Sequence, residues 1–281
     1  YHRSEDATAY RTNASFVFSN KYTAAVLGLL DAQPGEHILD LGCGSGELTK
    51  GIGSIVGAKG SVFGVDASAD MIQAARKENS SDDIGGSARI QYDQADGCAL
   101  STYITEHGLE GRFDRVFSNA AIHWMKASPM GVIEGVHKAL KPGGVLAAEF
   151  GGFTNVVGVR GGLHQVLRKR GLDPDEFDPW YFPTDEGYAA LLTSSNLDPP
   201  FQILSVELVP RLTPLTTGLR GWLTAFGGPL LNALPSEERE EAVQELEDLL
   251  RPDMYDPIKK QWSVMYVRLR VKAIKPPAKG L

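Results

Sequence analysis

The stretch that most restricts the fold is HILDLGCGSGELTKGI, residues 37–52. Ile38, Leu39 and Leu41 form a short apolar run of the kind that becomes a strand buried on both faces. Glycines follow at alternate positions, Gly42, Gly44 and Gly46, and then a helix-like ELTKGI. Strand, glycine turn and helix make the front of a βαβ unit. Glycine at a strand's carboxyl end lets backbone approach a ligand where a Cβ would collide. An ordinary glycine-rich turn is the plainer reading of three glycines alone. A dinucleotide fingerprint, G-x-G-x-x-G, needs glycine where Glu47 stands when the count starts at Gly42, so that fit is poor.

Two acids extend the pattern. Ser61 to Val65 read as a second buried strand, with Asp66 at its carboxyl end, 26 residues after Asp40. That spacing suits a carboxylate that accepts hydrogen bonds from both ribose hydroxyls, against a solvated turn aspartate as the alternative. A helix from Ala69 to Glu78 follows, in which Met71 is either a core residue or an adenine contact. SARIQYDQADGCAL then supplies a third strand ended by Asp96, with Gly97 and Cys98 behind it.

DLGCGSG, followed by Asp66 and Asp96 in that order, resembles motif I and the downstream acids of the class I S-adenosylmethionine (SAM) dependent methyltransferases. LKPGG before the fifth strand, Val145 to Phe150, is a further shared feature. The resemblance implies an α/β fold: a Rossmann-like, seven-stranded, mostly parallel sheet with helices on both faces and a helical cap. It implies SAM as cofactor and no metal. By position, Gly42, Gly44 and Gly46, with Asp40 and Cys43 in the same turn, would line the methionine moiety. Asp66 and Ala67 would meet the ribose, and Met71, Asp96, Gly97 and Cys98 the adenine.

The fourth strand, Phe113 to Ser118, would end facing the transferable methyl, bordered by Asn119, Ala120, Ala121, His123 and Trp124. The chain lacks the N/D-P-P-Y/F wording common in nucleic-acid and protein amide methylases. Small side chains at 120 and 121 leave room for a substrate. His123 is the obvious candidate base, set against a packed or hydrogen-bonded histidine; Trp124 is a pocket wall or a core residue.

Beyond residue 150 the expected elements are helices from Val156 to Arg170 and Thr184 to Ser195, a sixth strand from Phe201 to Val209, a helical stretch over 215–258, and a seventh strand from Gln261 to Val271. Ser236 is expected to cap a helix with a solvated acidic face. The chain thus divides as a single domain: an amino-terminal lid (1–35), a cofactor core (36–150), cap insertions (151–200 and 211–260) and last strands (201–210 and 261–271). SNAAIHW, GGFTNVVGVRGGLHQVL, FPTDEGYAALLTSSNL and LNALPSEEREEAVQELEDLL resemble the trans-aconitate methyltransferase group. Like the juvenile-hormone-acid methyltransferases, those enzymes esterify small acids. The resemblance implies a small-molecule, anionic acceptor, for which Arg11, Lys21, Arg160 and Arg220 are candidate cations. Tyr10 and Phe18 either pack onto the main domain or belong to a lid that sets one of them against the sulfonium or substrate. Two alternatives stand beside it: methylation of a phenol, hydroxyl, amine or carbon with His123 as base, and a SAM-binding protein without methyl transfer.

Charge and composition exclude several partners. The formal charge of −7 and the lack of a dense Lys/Arg cluster argue against nucleic acid. No apolar run approaches the ~20 residues of a membrane span. The opening YHRSEDATAY lacks the apolar core of a signal peptide, so the expected compartment is the cytoplasm. Two cysteines, Cys43 and Cys98, make neither a disulfide framework nor a zinc cluster and are expected as reduced thiols. The oligomeric state is open.

Overall fold

Strand β1 (His37–Leu41) is buried from Ile38 onward because it lies between two parallel neighbours. The computed structural model describes residues 20–79 and 88–277. Its main sheet runs β3-β2-β1-β4-β5-β8-β6, with β2 at Ser61–Asp66, β3 at Arg89–Gln94, β4 at Phe113–Asn119, β5 at Leu140–Gly151, β6 at Gln202–Pro214 and β8 at Gln261–Ile274. A two-residue β7 (Tyr255–Asp256) pairs β8 off this path. The pairs from β3 across to β5 are parallel, and β8 is antiparallel to both β5 and β6. The Rossmann-like, seven-stranded, mostly parallel sheet expected from the glycine motif is therefore present along the main path.

Period-2 alternation splits the core between two faces. Ile38, Val62, Phe117 and Ala147 meet helices α1 (Asn20–Leu30) and α2 (Glu47–Val56) through Val26, Leu30, Ile52 and Val56. Leu39, Leu41, Val116, Leu146 and Phe150 point the other way, against α4 (Leu100–Glu106), α5 (Pro129–Ala139) and α7 (Asp185–Leu192). Helix α3 (Ala69–Asn79) places Ile72 and Ala75 with Cys43 and Tyr92.

A separate apolar cluster forms the cap. It joins α6 (Val157–Lys169), α8 (Gly218–Phe226), α9 (Gly228–Leu231) and α10 (Arg239–Met254) to the start of β8 through residues such as Leu163, Trp222, Leu246 and Trp262. Its rim is solvated at Glu237 and Glu240, as expected of the acidic face, and is ion-paired as well. Glu245 meets Lys169 and Arg170, while Glu240 and Glu247 meet Arg220. Ser236 is not the helix cap; it sits in a 3-10 turn with its hydroxyl on Glu237, and α10 begins at Arg239.

Other boundaries also shift. Residues 20–30 are not lid but core, since α1 buries Val26 and Leu30 fully under the sheet. Residues 1–19, with Tyr10, Phe18 and Arg11, lie outside the described residues, as does the side chain of Lys21. Strands β6 and β8 run several residues past the expected 201–210 and 261–271, because each pairs with the other along its length. Pro142-Gly143-Gly144 does not precede β5 but is an irregularity inside it, between the pairs Phe113↔Leu140 and Arg115↔Val145.

Candidate active site

The carboxyl ends of β1, β2, β3 and β4 open on one cavity of about 540 Å³. Open α/β sheets bind ligands in this place, at the crevice where strand order reverses. Asp40, Gly42, Cys43, Gly44, Asp66, Ala67, Met71, Asp96, Gly97, Cys98, Asn119, Ala120, Ala121 and Trp124 all line it. Gly46 does not. It is buried behind the turn, where a Cβ would lie 2.6 Å from the Tyr92 hydroxyl, and its positive φ of 87° closes the loop into α2.

Asp66 organises the floor. Its Oδ2 accepts the Gly44 amide at 3.0 Å and its Oδ1 the Ser68 amide at 2.9 Å, so one carboxylate fixes two loops. Gly44 has φ +55°, and a Cβ there would meet nothing within 4 Å, so the cavity side of the turn is bare backbone. Gly42 differs: its Cβ would overlap that of Ala121 at 2.1 Å, and the missing side chain lets the β4 loop close on the β1 loop. Asp96 is exposed and accepts the Cys98 amide at 2.9 Å, leaving carboxylate capacity toward the cavity. Asp40 is buried and accepts the Thr49 hydroxyl at 2.6 Å; burial pushes its pKa up to about 7 against that hydrogen bond. Both cysteines are free thiols, and burial raises the pKa of each.

A bare glycine turn, an exposed acid after β3 and a doubly anchored acid after β2 fit a nucleoside that carries an amino-acid tail. They would receive the tail, the base and the sugar respectively.

Behind Asn119, Ala120 and Trp124, which it shares with the cavity, lies an inner chamber of about 40 Å³. Tyr22, Trp180, Phe182, Trp222 and Tyr266 wall it with rings, and Glu149, Arg211 and Arg268 supply its charge. Glu149, 1% exposed, takes Arg270 Nε at 2.7 Å and lies within 3.4 Å of Arg211 Nη1 and 3.5 Å of Arg268 Nε. Three guanidinium groups thus surround one carboxylate. The Nε atoms of Arg211 and Arg268 are buried without a hydrogen-bond partner among the described residues. Desolvation lowers the pKa of both arginines.

His123 lines this chamber, buried, with Nδ1 accepting the Gly151 amide at 3.3 Å. That contact leaves the ring proton on Nε2. Burial, then Arg268, holds its pKa well below the usual histidine range. The expected substrate cations lie elsewhere: Arg160 binds the buried Asp178 at 2.6 Å and Arg220 pairs with α10. Sequence reading passed over Glu149, Arg211 and Arg268. Their signal is a charge in each of three strands that otherwise read as core.

Fold and site together define an α/β protein whose strand ends open on a cavity that fits a nucleoside, with a smaller ring-walled chamber behind it. A methyltransferase-domain family model matches residues 38–144. An uncharacterized methyltransferase of Schizosaccharomyces pombe is 32% identical, covering 96% of this chain and 97% of its own. The trans-aconitate 2-methyltransferase of Deinococcus radiodurans is 31% identical over 43% of this chain and 40% of its own. Haemonchus contortus phosphoethanolamine N-methyltransferase 2, in complex with phosphomonomethylethanolamine and S-adenosylhomocysteine, shares the fold at TM-score 0.54 and 16% identity, over 96% of this chain and 57% of that one. The chain belongs to the SAM-dependent methyltransferases. Among the described residues no helix is long and apolar enough to cross a membrane.

Proposed function

We propose that this methyltransferase O-methylates a small carboxylic acid. The observation that carries the reading is the surplus of positive charge at the inner chamber: Arg211 and Arg268 line it and, with Arg270 beside it, share the single carboxylate of Glu149 among the described residues. Buried charge of one sign is costly unless a counter-charge joins it, and an anionic acceptor supplies one. The partial match to a trans-aconitate 2-methyltransferase agrees with this class of acceptor.

When bound, SAM supplies an electrophilic methyl on a sulfonium, so that an acceptor oxygen gains a C–O bond as the S–C bond breaks and the electron pair stays on sulfur. Asp66, Asp96 and the Gly42–Gly44 backbone hold the nucleoside and its tail. Asn119, Ala120 and Trp124, common to both cavities, align the acceptor with it. Such alignment is worth on the order of 7–11 kcal/mol when reacting atoms are held ~3–3.5 Å apart. The ring walls make the chamber's lining largely aromatic, and an apolar setting favours a step that annihilates charge. A carboxylate is ionised at neutral pH and needs no base. His123, neutral and carrying its proton on Nε2, serves in this scheme as a donor and wall.

The test is incubation with labelled SAM and a panel of acids, phenols and amines. A base-labile labelled ester formed from an acid is expected. Label found only on phenol, amine or carbon products, with no ester, overturns the reading.

A further inference from the structure

We infer that the anion held by Arg211 and Arg268 is not the group that is methylated. The two arginines are an anchor for a second anionic group of the same acceptor, and a separate carboxylate faces the cofactor cavity. This deepens the proposed function and rests on it.

Three observations lead there. First, size: the chamber, about 40 Å³, is more than tenfold smaller than the cavity of about 540 Å³ beside it, so the chamber receives one end of an acid and the cavity receives the rest. Second, charge: esterifying a carboxylate held by buried guanidinium groups would remove its charge and leave them sharing, among the described residues, the one carboxylate of Glu149, the arrangement that anion binding relieves. A carboxylate so held is also stabilised in the ground state, which slows its attack. Third, position: Arg211 stands on β6 and Arg268 on β8, while two of the three residues common to both cavities, Asn119 and Ala120, end β4 and begin its loop. The Ala120 amide donates to the Glu149 carbonyl at 2.7 Å, and Arg268 Nη2 approaches the same carbonyl at 3.5 Å. One residue thereby spaces the anchor from the β4 loop.

The consequence is regioselectivity. Acids with two anionic groups become monoesters, and the ester product is a poor second substrate because its remaining carboxylate is the anchored one. The experiment measures kcat and KM with straight-chain diacids of three to six carbons, their monoamides and matched monocarboxylates, with products identified by mass. Diacids are expected to exceed matched monocarboxylates at least tenfold in kcat/KM and to stop at the monoester. Arg211→Gln is expected to raise KM for diacids tenfold or more while changing kcat less than threefold, and to shrink the advantage of diacids over matched monocarboxylates to less than threefold. Calorimetric SAM affinity of Arg211→Gln, expected within twofold of the parent, shows that the protein is folded; Arg211→Lys, which keeps the charge, is expected to recover part of the KM. Equal kcat/KM for mono- and diacids, or accumulation of diester, overturns the inference while leaving acid methylation standing. If no acid yields an ester, both readings fall.

Discussion

The Asp66 carboxylate accepts the Gly44 amide at 3.0 Å, which ties the end of β2 to the glycine turn that follows β1. Its other oxygen holds Ser68. A residue expected at the ribose is therefore also the clasp of the glycine loop proposed for the methionine tail.

Asp66→Ala is expected to weaken SAM binding by more than deletion of a ribose contact. Hydrogen bonds to a charged group contribute about 1.5–3 kcal/mol each, so a loss of one hundredfold or more in affinity is expected. Asp66→Asn, whose amide oxygen can still receive one amide, should lose less. Isothermal calorimetry checks both; equal affinity in Asp66→Ala would remove Asp66 from the site.

The two turn glycines should fail in different ways. Gly42→Ala drives a Cβ to 2.1 Å from that of Ala121, so it should destabilise the fold by roughly 1–3 kcal/mol as overpacking. Gly44→Ala meets no atom and carries only the strain of φ +55°, about 1–2 kcal/mol. Its methyl enters the ligand space, so the expected loss is in SAM affinity. Thermal melts with and without SAM separate them.

Asp40 predicts a pH dependence. Its folded pKa is raised to about 7 from 3.8, chiefly by burial, so the folded chain holds a proton there that the unfolded chain releases. Stability from this group is full below about pH 4 and falls as pH rises through 7. Asp40→Asn should remove that dependence and stabilise the ligand-free protein at pH 8 by on the order of 2–4 kcal/mol, while keeping the Thr49 hydrogen bond. Denaturant melts at pH 5 and pH 8 give the comparison; an unchanged pH slope in the variant would refute it.

How much of this was legible in the sequence differs sharply along the chain. The pocket floor is local: Gly42 and Gly44 follow their own strand, and Asp66 and Asp96 end theirs, so motif spacing alone leads to them. The chamber is not local. Glu149 meets Arg270 because β8 inserts antiparallel between β5 and β6, a pairing 121 residues apart that no period in one sequence encodes. An arginine in LVPRL or YVRLRV reads as the solvent side of a strand until the cap covers it. Arg220 illustrates the converse. Its place in a cap segment suggested a substrate cation, but an acidic helix 20 residues later takes it.

His123 separates the two acceptor chemistries. With Nδ1 on the Gly151 amide and a pKa held below its usual range by burial and Arg268, it cannot take a proton and hold it near neutral pH. For a carboxylate acceptor, His123→Gln should retain activity within about tenfold, and kcat should be flat from pH 6 to 9, where a general base would contribute about 10²–10⁴. A rising limb lost in the variant, with activity down a hundredfold or more, would move the acceptor to a hydroxyl or amine.

The chamber's own carboxylate gives the last prediction. Glu149→Gln keeps shape and leaves Arg211, Arg268 and Arg270 without their shared counter-charge. Breaking a buried ion pair by removing one partner costs about 3–5 kcal/mol, so the ligand-free variant should unfold at markedly lower denaturant. Anion binding should repair this more in the variant than in the parent, because a bound dicarboxylate replaces the missing charge. The measurement is the denaturation midpoint with and without 10–50 mM (about) diacid at constant ionic strength, a range set by linkage to weak ligands. A larger diacid-induced rise in Glu149→Gln is expected; a rise equal in parent and variant would show that Glu149 and the acceptor do not share the arginines.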